Sequence, residues 1–318
     1  MKGHLRSLPG LVVVNGGVRT ATGLVSDVWR LDLASLQWES MAALSPARVT
    51  DHVCCAVGGS VAVIGGRTLV GNDITETASV EAISSREEAV YMNLPPLSCG
   101  GIWAAAAIAV EESDSAAGQV FLLGGSDSSS HPLARVQLVD LATGVCTPQP
   151  HLLCGRAYPA AARLPDGRVV CAGGGFDGGY TSSAEVLGPP EQGAQDAAWT
   201  WTETAAMSTG RYGCSGCVMS DGRFAVLGGG GGASDEPMLS SCEVLTIGVS
   251  THWEPLPPMH DARTHFACAA MAGCIIVAGG RDRRSAEVFD EFLGRWLRLP
   301  HNLPHIDHMG QGVSGALL

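Results

Sequence analysis

Four arginines, Arg48, Arg156, Arg211 and Arg263, each stand 16 or 17 residues before a pair of glycines. A guanidinium presents a planar fork of donors that clamps a carboxylate through two parallel hydrogen bonds. Recurrence at one spacing suits two uses. The arginines could line a binding face and hold an acidic group, or they could bond loop carbonyls within the fold. Tyr158, Tyr212, His265, Tyr180 and Asp127 are expected as their neighbours and offer stacking and hydrogen bonding. Arg19, Arg67, Arg281 and Arg283 follow the glycine pairs and are expected on the same face.

Other groupings carry weaker chemistry. Cys214 and Cys217 have the spacing of a metal or redox pair. In a strand, however, positions three apart point to opposite faces, so the two sulfurs cannot readily share an ion. His301, His305, Asp307 and His308 form the densest set of potential ligands, but their spacing is irregular and prolines flank them. Gly173 to Gly178 fit G-x-G-x-x-G formally, yet no helix-period segment follows to bring amides to a phosphate. Neither G-x-S-x-G nor H-E-x-x-H occurs. No catalytic residue, metal or cofactor is expected.

The elements that position these residues repeat. Apolar runs ending in two glycines recur six times, with the first glycine at 16, 65, 124, 173, 228 and 279. The steps are 49, 59, 49, 55 and 51 residues, and counting on from 279 through the C-terminus back to 16 gives 55. The ring therefore closes on its own period. A second strand-like run follows each glycine pair, as in SSAEVLG (182–188), SSCEVLT (240–246) and RSAEVFD (284–290). Next comes an aromatic residue, Trp38, Tyr91, Trp201, Trp253 or Trp296, with Cys146 near that place in the third unit. Short apolar runs bounded by glycine and polar clusters predict strands, four to a unit. Radial repetition of four-stranded sheets is the propeller solution to exposed sheet edges.

The double glycine, the Ser-Ala-Glu-Val-like strand, the spaced tryptophan and the preceding arginine resemble the Kelch-repeat family. RAYPAAARLPDGRVVCAGG (156–174) and RYGCSGCVMSDGRFAVLGG (211–229) carry the resemblance most clearly. Tryptophan–aspartate propellers fit less well, since no Trp-Asp dipeptide occurs. The expectation is an all-β, six-bladed propeller of four-stranded antiparallel blades, a single domain over residues 1–318. Its first blade lacks an innermost strand, which GQGVSGALL (310–318) is expected to supply. The units entered at Trp103 and around His308 lack the arginine.

The resemblance implies a ligand face formed by the loops after the double glycines and the arginine-bearing connections. A non-enzymatic module binding a protein or peptide, acidic if the arginines face outward, is the first expectation. The alternative is a carbohydrate-active enzyme similar to sialic acid mutarotases, which use a glutamate and an arginine in the channel. Here no acid is marked by a motif. The copper oxidases and iron-dependent specifier proteins of similar architecture need a Tyr-His pair and an E-x-x-x-D-x-x-x-H motif, and neither occurs.

Composition narrows the partners. Hydrophobic residues make up 46% and charged ones 16%, against roughly 25% charged in ordinary soluble domains. A net charge of −12 with Lys2 as the only lysine argues against nucleic acid and anionic membrane. No apolar stretch approaches the roughly 20 residues of a membrane helix. Eleven cysteines, an odd count, sit largely in strand-like runs, and no Asn-x-Ser/Thr site occurs. Buried reduced thiols in a cytoplasmic compartment are expected.

Overall fold

In a computed structural model of the chain, described over residues 10–15, 18–20, 23–45, 47, 50–84, 90–110, 114–177, 179–189, 198–231, 238–248, 250–304 and 313–317, six four-stranded antiparallel sheets form the blades of a propeller. Blade 1 runs outward from Val313–Leu317 through Gly10–Asn15 and Val28–Asp32 to Gln37–Met41. Blades 2 to 6 begin at the innermost strands Val53–Val57, Trp103–Val110, Ala160–Arg163, Ser215–Val218 and Ala267–Met271. Each innermost strand touches the next, and Val313–Leu317 touches both Ala267–Met271 and Val53–Val57, so the ring is closed.

Six strands converge on one axis, which limits side-chain size there. The innermost strands are therefore rich in alanine, glycine, serine and cysteine. A Cβ on Gly315 would lie 2.4 Å from the Val12 carbonyl oxygen and 2.9 Å from Ala267 Cβ. The second strands, such as Ser60–Ile64 and Phe224–Leu227, are buried on both faces because a neighbouring blade covers each side. Six apolar clusters result, one between each pair of adjacent blades. Cys214 packs in the cluster between blades 4 and 5, and Cys217 in that between blades 5 and 6. Their sulfurs thus face apart, as period-two geometry requires.

The double glycines are what allow the blades to approach. Gly65, Gly124, Gly173, Gly228 and Gly279 have φ between 55° and 69°, and the glycine after each is also left-handed. That conformation suits glycine far better than residues carrying a Cβ. It lets the second N–H donate to the next blade: Gly125 to Arg156 O at 2.9 Å, Gly174 to Arg211 O at 2.8 Å and Gly229 to Arg263 O at 2.7 Å. Gly16 and Gly17 lie outside the described residues. The G-x-G-x-x-G stretch opens a small hairpin, Gly175–Phe176 with Gly179–Tyr180, and no helix occurs among the described residues.

The outer strands are stitched by tryptophan. Trp201, Trp253 and Trp296 donate their indole N–H to the carbonyls of Pro150, Ala205 and Pro257, at 2.9, 2.7 and 2.8 Å. Trp38 does the same to His301 at 3.1 Å, across the seam between blades 6 and 1. Val313–Leu317 pairs antiparallel with Gly10–Asn15, Leu317 opposite Leu11, as the ring arithmetic predicts. A chain ending at residue 312 is expected to lose its cooperative thermal transition, because it exposes both an edge strand and an apolar seam. Circular dichroism melting checks this, and a midpoint within about 2 °C of the full chain would mean that closure resides elsewhere.

Candidate functional site

Three of the repeated arginines, Arg156, Arg211 and Arg263, lie between strands. Arg156, Arg211 and Arg263 are almost wholly buried. Arg211 donates Nη1 to the carbonyls of Gly228 and Ser241 at 2.8 and 2.9 Å, and Nη2 to Glu243 Oε1 at 2.7 Å. Arg263 makes the same set with Gly279, Ser285 and Glu287, whereas Arg156 donates Nη1 to the carbonyls of Gly173 and Ser183 and Nε to Glu185 Oε1. The other carboxylate oxygen of each glutamate accepts a backbone N–H, from Leu153, Ser208 or His260. Each arginine thus caps carbonyls left free by the glycine turn, and a buried carboxylate balances its charge. The expectation that these three arginines face a ligand is corrected: each is buried and bonded within its own blade.

The glutamates that complete these struts recur on the third strands. Ser45 N–H donates to buried Glu81 in the same way, and Arg48, three residues after Ser45, lies outside the described residues. Blade 3 replaces both partners, with buried Ile102 in the arginine's place and Gln137 in the glutamate's. Ile102 keeps the backbone bond, accepting from Gly66 N–H at 2.7 Å. In blade 1 Trp29 occupies the glutamate's register position.

Around the channel mouth a second repeat appears, in backbone and not in side chain. Asp51, Ala104, Tyr158, Gly213 and His265 all have φ between 51° and 62°. Four of the five N–H groups donate to the carbonyl of the counterpart one blade earlier: Ala104 to Asp51, Tyr158 to Ala104, Gly213 to Tyr158 and His265 to Gly213, at 2.6–3.1 Å. The left-handed turn costs about 1 kcal/mol or more for a residue other than glycine. It holds the side chains of Asp51, Tyr158 and His265 at the channel mouth.

Those side chains form one connected group. Tyr158 O–H donates to Asp51 Oδ1 at 2.8 Å, and Asp51 Oδ2 lies 3.8 Å from Arg67 Nε. The Arg67 guanidinium carbon sits 3.4 Å from the centre of the Trp103 ring. Tyr158 meets His265 edge to face at 4.6 Å, and Tyr212 stacks on Tyr180 at 4.2 Å. A Cβ on Gly230 would strike the Tyr212 ring, so glycine there makes room for it. Burial raises the Asp51 carboxyl above its ordinary range, although Tyr158, Thr50 and Arg67 oppose it. Burial, then the charge of Arg281, lowers His265 to about 4.

Below these residues the axial channel encloses about 180 Å³, lined by Asp51, Tyr158, Gly213 and His265 at its mouth and by small residues deeper in. Beside it a cleft of about 700 Å³ runs between Arg67 and Trp103 on one side and Phe176, Tyr180 and Tyr212 on the other. The structure gathers Tyr158, Tyr180, Tyr212, His265 and Arg67 around these two spaces. Asp127 instead braces its own loop, accepting N–H bonds from Ser129 and His131. Arg281 is exposed, and half-buried Arg283 donates to the Ala262 carbonyl at 3.3 Å. Arg19 lies on the short strand Val18–Thr20, its side chain outside the described residues. His305, Asp307 and His308 lie outside them too, and His301 is exposed beside Gln37. Among the described residues no three potential ligands converge on a metal position.

Sequence reasoning missed Asp51 and Trp103 as site residues. Both stand where the arginine-to-strand connection enters its blade, and aligning the units on that connection would have singled them out.

The fold is that of a six-bladed β-propeller. A 71-residue segment is 38% identical to an F-box/kelch-repeat protein of Arabidopsis thaliana, covering 20% of this chain and 18% of that protein. The chain thus matches less than a fifth of that relative's length. The solved structure of YjhT superposes with a TM-score of 0.63 at 13% identity, covering 84% of this chain and 90% of its own. No protein-family model matches the chain.

Arg211→Met is expected to cost about 3–5 kcal/mol in urea unfolding, because Glu243 keeps a buried charge without its partner. Arg211→Ile with Glu243→Gln, copying blade 3, should recover at least roughly 1.5 kcal/mol of that loss. His265 binds its proton less readily folded than unfolded, so its contribution to stability is complete above pH 6.5 and is lost as pH falls towards about 4. His265→Asn, which tolerates the left-handed turn, should flatten the urea midpoint across that window.

Proposed function

We propose that the chain is a non-enzymatic binding module that recognises a protein or peptide at the channel mouth. One observation carries this reading: the cleft of about 700 Å³ is walled by aromatic rings, of which Phe176 is 44% exposed, and by a half-buried arginine. Rigid aromatic surface beside a positive group is the composition of protein-recognition hot spots. The kelch-type fold agrees with an interaction module in general terms. An acidic partner remains part of the proposal, but its charge would meet Arg67 and Arg281 and not the buried arginines. All eleven cysteines are free, and burial pushes Cys55, Cys171 and Cys242 up to about 12, which supports a reducing, cytoplasmic home.

A second reading has its own support. Asp51, its carboxyl raised by burial, stands within reach of Tyr158 and Arg67 at the channel entrance. A carboxylic acid of that kind beside an arginine suits proton transfer on a sugar acid, as in a mutarotase.

Affinity capture with the wild type, Tyr212→Ala and Phe292→Ser separates the faces. Phe292 is 95% exposed between the third and fourth strands of blade 6, at the end opposite the mouth. The proposal expects a partner that Tyr212→Ala loses and Phe292→Ser keeps. Loss with Phe292→Ser alone would move recognition to the far face. Line-shape NMR of N-acetylneuraminic acid tests the second reading, which requires anomer exchange that accelerates with enzyme and disappears in Asp51→Asn.

A further inference from the structure

Arg67 differs from every arginine of the struts in what its donors do. Arg156, Arg211 and Arg263 each make at least three side-chain hydrogen bonds to their own blade. Arg67 makes none from its side chain to any described residue; its Nε stands 3.8 Å from Asp51, beyond hydrogen-bond distance. Its five N–H donors are nevertheless held in one plane. The Trp103 ring supports one face of the guanidinium, and Asp51 is fixed in turn by Tyr158 and Thr50. The side chain is 30% exposed at the cleft.

Trp103 gives independent support. The tryptophans of the outer strands donate their indole N–H to a carbonyl of the neighbouring blade. The Trp103 N–H is buried and has no acceptor among the described residues. Its indole N–H therefore takes no part in stitching blades, and the group on its ring face is the Arg67 guanidinium.

We propose that Arg67, supported by Trp103 and Asp51, is the anion clamp of the mouth and takes a carboxylate whose neighbouring apolar group lies against the Tyr180–Tyr212 stack. This rests on the binding reading above and specifies its ligand. The carboxylate could come from an acidic side chain in a peptide or from a sugar acid, and the chemistry at Arg67 is the same: two N–H bonds to two oxygens in one plane. A peptide source is favoured by the second wall of the cleft, where stacked tyrosines and exposed Phe176 suit an aromatic side chain.

The test titrates the full chain with N-acetyl-Glu-Phe-amide, its Gln counterpart and N-acetylneuraminic acid, following amide and indole signals by NMR. The Glu peptide should bind about tenfold more tightly than the Gln peptide, and Arg67→Gln should remove that difference. Arg281→Gln, an exposed arginine of the same mouth, should leave it in place, and the affinity should weaken with salt. Circular dichroism melting verifies that Arg67→Gln folds. Equal binding of the two peptides would overturn the clamp while leaving peptide recognition standing. Arg67-dependent binding of the sugar acid alone would keep the clamp and overturn the peptide source. Unchanged selectivity in Arg67→Gln, or no binding by any probe, would overturn the proposal.

Discussion

The left-handed double glycine is the contact on which the propeller depends. Its second N–H reaches a carbonyl of the following blade, at Ile102, Arg156, Arg211 and Arg263 in turn. A Cβ on the first glycine would meet that same carbonyl, at 2.6 Å for Gly173 and 2.7 Å for Gly228. The turn therefore brings adjacent sheets to a spacing that side chains would forbid. It also leaves its own carbonyl pointing inward with no strand to pair with, and the buried arginine satisfies it. The glutamate follows from the arginine, since a buried cation without a counter-charge is strongly destabilising.

That chain of necessity explains why arginine and glutamate are replaced together. Where Ile102 fills the space with hydrocarbon, Gln137 stands in for the carboxylate and no charge is buried. The substitution also has a consequence at the mouth. Trp103, next to Ile102, belongs to the one described connection without a strut arginine, and it carries the aromatic face on which Arg67 rests. The missing strut arginine and the Trp103 side of the cleft thus fall in the same blade.

Much of the architecture was legible because its physical causes recur at fixed spacing. The glycine pairs, the buried second strands, the tryptophans and the missing first strand all mark backbone requirements that every blade shares. The opposed directions of Cys214 and Cys217 followed from strand periodicity alone. The arginines were legible as equivalent but not as buried, because repetition by itself does not separate a strut from a binding face. The signal that would have separated them was present: Glu185, Glu243 and Glu287 recur on the third strands of the blades that carry the arginine. Asp51 and Trp103 were hidden for the opposite reason. Their backbone positions repeat while their side chains do not, so a search for recurring residue types passes over them.

The pairing of Leu11 with Leu317 has a further consequence. Adjacent antiparallel strands lie about 5 Å apart, so the two ends of the described chain are separated by little more than one residue's length. A short linker could join them without disturbing blade 1. New ends could then be opened in a far-face turn such as Pro165–Gly167, between the first and second strands of blade 4. Such a circular permutant would keep every inter-blade contact while moving the seam to another blade. The place where the ring is fastened is a property of the order in which the chain is written, and not of the surface that the closed ring presents.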